Sequence, residues 1–99
     1  MKRRLLAAAL AALPALAHAA QDPPQVRTLA GSCANCHGTA GRAVGAMPSL
    51  AGLAPAYFVE QMRQFRDGRR PATVMHQIAK GYSDDEIALL AEFFARQPK

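Results

Sequence analysis

Residues 20–99 predict an all-α domain of three to four short helices, and three observations carry that expectation. Pro55 and Gly68 bracket a stretch in which Phe58, Met62 and Phe65 recur at i, i+4 and i+7, the spacing of one helical face. Ser83-Asp84-Asp85-Glu86 spells a capping box directly ahead of Ile87, Leu90, Ala91 and Phe94, again one face of a helix. Nothing in the chain alternates apolar and polar residues with the period of two that a half-buried strand needs.

Residues 1–19 come first and read as an address. Met1-Lys2-Arg3-Arg4 is a positive start, Leu5 to Leu16 is an apolar stretch of twelve residues broken only by Pro14, and Ala17-His18-Ala19 has the small-x-small form of a cleavage site. A bilayer span takes about 20 apolar residues, so length argues against an anchor that stays uncut, and no other run is long enough. The expectation is a cleaved signal peptide over 1–19, export to the periplasm, and one mature domain over 20–99 without stable membrane insertion. Residues 25–36 then suggest a first helix. Residues 38–54, with Gly38, Gly41, Gly45, Gly52 and Pro48, read as loop. Pro55 opens a second helix through Asp67, Pro71 starts a short helical piece that Gly81 ends, and Ser83 caps a last helix running to about Arg96.

Removing the leader changes the charge argument. The whole chain carries +5, but without Lys2, Arg3 and Arg4 nine basic residues face seven acidic ones, a net of +2. The basic excess that a nucleic-acid binder needs is therefore in the discarded segment. About 80 residues make a thin core, and domains of this size commonly depend on a disulfide, a metal or a cofactor.

Cys33 and Cys36 are the only cysteines, and they stand in Cys33-Ala34-Asn35-Cys36-His37. C-x-x-C-H is the attachment pattern of a c-type haem. Two thiols three positions apart on one helical turn can reach the two vinyl groups of one porphyrin, and the adjacent His37 is carried under the ring as proximal ligand. Rival readings fit less well. A zinc site usually needs four ligands, and the mature chain offers only His37 and His76 beside one Cys pair. A thioredoxin-like pair expects a βαβ context. A disulfide across two residues closes a tiny loop and adds little.

A second axial ligand has four candidates, Met47, Met62, Met75 and His76. Met62 belongs to the core stripe with Phe58 and Phe65. Met47 is a loop residue before Pro48. Met75 comes 38 residues after His37, far enough for the chain to wrap to the opposite face. His76 is also a competent iron ligand, but adjacent side chains point in different directions, so one of the two binds. Spacing puts Met75 first and leaves His76 open; the alternative roles are gap-filling in the core for Met75 and a partly exposed polar side chain for His76.

These residues resemble small bacterial class I cytochromes c over the whole of 20–99. Cys33 to Gly38 is similar to that family's haem motif. Pro48-Ser49-Leu50-Ala51-Gly52 resembles the loop whose proline carbonyl bonds the proximal histidine. Tyr57 to Met62 followed by Phe65-Arg66-Asp67-Gly68 is similar to the helix on the haem edge, which implies packing roles for Tyr57 and Phe58. Val74-Met75 before Ile78-Ala79-Lys80-Gly81 resembles the family's axial-methionine segment and favours Met75 over His76. Ser83 to Phe94 looks like the terminal helix that crosses the first. The stretch Met75-x-x-Ile78-Ala79-Lys80-Gly81-Tyr82-Ser83 resembles the haem subunit of flavocytochrome c sulfide dehydrogenase.

The resemblance implies one haem c, bound through Cys33 and Cys36 with His37 and Met75 on the iron. It implies one-electron transfer with no chemistry on this chain alone, and a flavoprotein partner that carries FAD and oxidises sulfide. A free carrier between a periplasmic dehydrogenase and a terminal oxidase is the alternative, with another redox protein as partner. An open-site sensor or peroxidase would need Met75 not to bind. Arg63, Arg66, Arg69 and Arg70 either serve docking or form a solvated face balanced by Glu60 and Asp67.

Overall fold

The computed structural model describes residues 22–99 together with residues 8, 9 and 11. The expected signal peptide and its cleavage site lie outside the described residues. Within them the chain is helical and has no strand: α1 Pro24–His37, a single 3-10 turn Thr39–Gly41, α2 Pro55–Arg66, α3 Met75–Ala79 and α4 Asp84–Ala95. None of these helices is long and apolar enough to cross a membrane.

Proline sets the first position of both α1 and α2, where the missing N–H costs nothing and φ is already helical. On α1 the inward positions are Val26, Ala30 and His37, all buried, with half-buried Cys33 between the last two. That spacing of four, three and four residues is one helical stripe, and it ends on the His of the C-x-x-C-H motif. Cys36 lies off the stripe and is exposed. Phe58 and Met62 are the buried residues of α2, with Phe65 half-buried behind them, as the i, i+4, i+7 spacing predicts.

The capping box at α4 is present in full. Ser83 N–H donates to Glu86 Oε1 at 2.9 Å, and Glu86 N–H donates to Ser83 Oγ at 3.1 Å. Two helix-end donors that would otherwise lack partners are satisfied together. Replacing Ser83 by alanine is therefore expected to cost about 1 kcal/mol in urea unfolding; an unchanged midpoint would show that solvent substitutes fully for the cap. Ile87, Leu90, Ala91 and Phe94 are the buried residues of this helix.

α3 differs from the sequence expectation. It begins at Met75, not at Pro71. The first acceptor is the Val74 carbonyl, which takes bonds from Gln77 N–H at 2.9 Å and Ile78 N–H at 3.1 Å. Thr73 and Val74 are β-branched and resist helical rotamers, and Val74 sits at φ −132°, outside the helix. Residues 38–54 are not uniformly loop either, because the turn Thr39–Gly41 is wound tightly, with Ala40 at φ +53°.

The core is one cluster in which α4 packs on both α1 and α2, while α2 also packs on α3. Phe94 is its centre, stacked on Phe58 with ring centroids 5.7 Å apart and edge-on to Phe93 at 5.2 Å. Arg66 ties the end of α2 to the start of α4 through Asp84 at 2.7 Å. Arg66 holds the Asp84 carboxyl below its ordinary value, and Asp84 raises the guanidinium in return. A lowered carboxyl stabilises the fold above its unfolded pKa, and that contribution fades as pH falls through the folded one. At an exposed site it is a small effect.

Candidate functional site

The site is built where α1 ends. His37 is 7% exposed, and its Nδ1 lies 2.7 Å from the carbonyl oxygen of Pro48. A carbonyl only accepts, so Nδ1 carries the proton and donates. The neutral ring then has its lone pair on Nε2, which makes no hydrogen bond among the described residues. The fold thus fixes one tautomer and one ring orientation, and leaves a basic nitrogen available as a ligand.

The backbone around His37 turns in a way only glycine allows. Gly38 has φ +83°, and a Cβ there would run into the Arg42 carbonyl oxygen. Gly41 has φ +78°, and a Cβ there would meet Phe94 Cδ1 at 2.8 Å. The Gly41 carbonyl accepts from Leu50 N–H at 2.7 Å and Ala51 N–H at 3.2 Å. Ala43 N–H donates to Ser49 Oγ at 3.0 Å. These bonds fold the loop back so that Pro48, eleven residues beyond His37, presents its carbonyl to the imidazole.

Cys33 and Cys36 are free thiols, one turn apart and not joined to each other. Burial pushes the Cys33 thiol up, while the hydroxyls of Ser32 and Tyr82 beside it pull the other way. Met75, the first residue of α3, is half-buried and packs against the core cluster. Its neighbour His76 holds the one buried side-chain polar atom without a partner among the described residues, Nδ1. Met62 is a core residue and Met47 is exposed, so neither stands as Met75 does.

The two aromatic positions expected to pack on a haem part company. Phe58 is buried against Phe94, whereas Tyr57, one position and about 100° earlier on α2, is half exposed. Val74 and Ile78, which flank Met75 in the chain, are also large apolar residues left exposed. A thin fold that leaves apolar side chains uncovered beside its candidate ligands, and that carries two unpaired thiols and an oriented imidazole, fits a flat apolar cofactor bound through sulfur.

Three of the four clustered arginines are engaged within the chain, and Arg63 is exposed. Arg66 pairs with Asp84, Arg69 with Asp67 at 3.3 Å and Glu60 at 3.7 Å, and Arg70 bonds Gln61 and lies 4.8 Å over the Phe65 ring. This supports the balanced solvated face over a docking patch. The contact that sequence reasoning missed is Ser32 Oγ to the Tyr82 hydroxyl at 2.7 Å, across fifty residues, beside Cys33. Neither residue belongs to the C-x-x-C-H pattern, and no spacing rule links them.

Comparison with known proteins agrees with this geometry. The family model described as Cytochrome c matches residues 25–96. The cytochrome subunit of sulfide dehydrogenase from Chlorobaculum tepidum is 39% identical over 89 residues, covering 90% of this chain and 79% of that one. A thiosulfate dehydrogenase electron acceptor of Stutzerimonas stutzeri is 45% identical over 67 residues, 64% of this chain and 31% of its own length. Cytochrome c4 of Pseudomonas aeruginosa is 36% identical over 86 residues, 86% of this chain and 43% of its own length. Among solved structures, a cytochrome c4 of Acidithiobacillus ferrooxidans superposes with a TM-score of 0.63 at 34% identity, over 65% of this chain and 37% of that one. The chain thus spans less than half of the cytochrome c4 and thiosulfate-linked relatives.

Proposed function

This chain belongs to the cytochrome c family, an electron carrier with covalently bound haem c, and from that premise we propose that it is an exported one-electron carrier serving as the haem subunit of a sulfide-oxidising flavoprotein. The observation that carries the partner is the near full-length similarity to a sulfide dehydrogenase cytochrome subunit, set against partial matches to longer cytochromes. The FAD belongs to the partner, and the export reading rests on residues 1–19.

Cys33 and Cys36 would hold the haem by thioethers, and its iron would supply a ferric/ferrous couple. His37 offers Nε2 as the proximal ligand, and the Pro48 carbonyl keeps the ring in that tautomer through the 2.7 Å bond. Met75 offers a soft thioether sulfur from the first turn of α3, which favours the reduced state and a comparatively high potential. With His37 and Met75 both holding the metal, substrate chemistry at it would be closed off, and the chain would only take up and release electrons. Phe58 and Tyr57 contribute apolar packing, Phe58 from the core side and Tyr57 from the surface.

A free carrier is the second reading, favoured by the likeness to thiosulfate-linked electron acceptors. An absorption spectrum of the native protein, purified gently, separates the two. Haem and flavin bands in fixed ratio through successive columns are expected for the subunit. Haem bands alone would establish the free carrier, and absence of covalent haem would overturn both.

A further inference from the structure

Arg70 is placed differently from the other engaged arginines of its stretch. Arg66 and Arg69 meet carboxylates. Arg70 is half-buried and meets two neutral groups: its Nη1 donates to Gln61 Oε1, and its guanidinium carbon lies 4.8 Å from the centre of the Phe65 ring. Gln61 and Phe65 are four residues apart, neighbours on one face of α2. The side chain therefore runs back along the helix that the backbone has just left. The turn after α2 aims it there. Gly68, at φ +72°, donates its N–H to the Phe65 carbonyl at 3.2 Å, and Arg69 N–H follows on the Gln64 carbonyl at 2.9 Å, a Schellman turn. Arg70 N–H reaches the same Gln64 carbonyl at 3.3 Å.

The stretch beyond Arg70 has little of its own to hold it. The backbone of 71–73 makes no hydrogen bond among the described residues, and Pro71, Thr73 and Val74 are exposed. Met75 then opens α3, a helix of five residues and too short to stand without tertiary contacts. The segment that delivers Met75 is thus fixed at its two ends, by the Arg70 clamp behind it and by the packing of α3 on α2 ahead of it. Five steps of chain reach at most about 17 Å, and Pro71 fixes one φ, so the place where Arg70 is held limits where Met75 can go. Phe65, under the guanidinium, and Met75 pack against the same core cluster.

We propose that Arg70 is a positioning residue for the axial ligand: its clamp on Gln61 and Phe65 holds the 71–74 connection down and keeps Met75 closed on the iron. The inference rests on the reading of Met75 as that ligand. The guanidinium serves by its shape as well as its charge, because a planar fork lies over a ring while one of its N–H groups bonds the amide, which a compact ammonium does not reproduce.

The test is carbon monoxide binding to the ferrous holoprotein, which reports how often Met75 leaves the iron, with the reduction potential read alongside. Arg70→Met keeps a long side chain over the ring and removes the fork. It is expected to raise the apparent carbon monoxide affinity roughly tenfold, the scale of one hydrogen bond to a charged group, and to lower the potential. Arg70→Lys restores the charge and is expected to recover little of the change. Gln61→Met removes the acceptor alone and is expected to raise the affinity by less, since the ring contact remains; it decides the matter where Arg70→Met fails to fold. Gln61→Glu keeps an acceptor and is expected to stay at or below the wild-type affinity. Ser83→Ala loosens a helix cap elsewhere and is expected to leave the affinity at the wild-type value; an equal rise there would tie gas uptake to stability alone and overturn the proposal. Wild-type affinity and potential in Arg70→Met, or in Gln61→Met where the first does not fold, would overturn it too. Full recovery in Arg70→Lys would do the same, by assigning the effect to charge. Met75→Ala separates this inference from the reading beneath it. If that variant gains no carbon monoxide binding over wild type, both fall; if it gains binding and the Arg70 and Gln61 variants do not, this inference falls alone.

Discussion

Replacing Met75 by alanine is expected to lower the reduction potential by on the order of 0.1–0.2 V, a fraction of the roughly 0.8 V range that axial ligands span. The same variant is expected to bind carbon monoxide in its ferrous form, and the wild-type protein is expected not to. Met75 opens the five-residue helix α3 and packs half-buried against the core, so its sulfur is held by packing and does not sample solvent freely. His76, its neighbour, is about 100° further round the helix, so a backbone that presents one side chain to a site turns the other away. His76 Nδ1 is buried without a partner among the described residues, which makes it the rival to exclude. His76→Ala is accordingly expected to leave the potential close to wild type. If His76 were the ligand the two outcomes would exchange, with His76→Ala opening the site and Met75→Ala leaving it closed. Redox titration of the two variants side by side decides between them.

Phe94→Ala is expected to cost about 3–5 kcal/mol in denaturant unfolding. Phe94 is 1% exposed and stacks on Phe58 from α2. Its ring also sets the space beside Gly41, and its backbone carbonyl accepts from Gly52 N–H at 2.8 Å. The side chain thus joins α4 to α2 and to Gly41 in the loop that carries Pro48, while the Gly52 bond is made by the backbone and survives the substitution. Small domains have about 5–15 kcal/mol of stability in all, so this loss removes a large part of it. A second readout follows from the loop. With its brace gone, the Pro48 carbonyl holds His37 less firmly, and the potential should drift from the wild-type value in parallel with the stability. A loss below about 1 kcal/mol would show that the cavity collapses and that Phe94 does not organise the core.

The helices and the attachment motif are legible in the amino-acid sequence because their causes are local. Pro55, Ser83 with Glu86, and the Phe58–Met62–Phe65 spacing each act within a turn or two, so neighbouring residues contain the whole cause. Cys33, Cys36 and His37 are local in the same sense: a few helical residues place them on adjacent faces of α1. The start of α3 differs from expectation because Pro71 is a good first residue, and the β-branched pair Thr73 and Val74 outweighs it.

By itself, then, the sequence determined the helical class, the haem motif at the end of α1 and the shortlist of axial ligands, each through residues within one or two turns of each other. The His37–Pro48 bond was expected only through a likeness to other proteins, since nothing in the spacing requires a proline eleven residues away to turn its carbonyl inward. The tertiary structure alone decided the engagement of Arg66, Arg69 and Arg70 with Asp84, Glu60, Asp67 and Gln61, the exposure of Tyr57 beside buried Phe58, and the meeting of Tyr82 with Ser32. The physical reason is range. Caps and periodicity are fixed by bonds within a few residues, whereas a contact across fifty residues exists only once α4 has packed against α1 and α2 and brought Tyr82 beside α1.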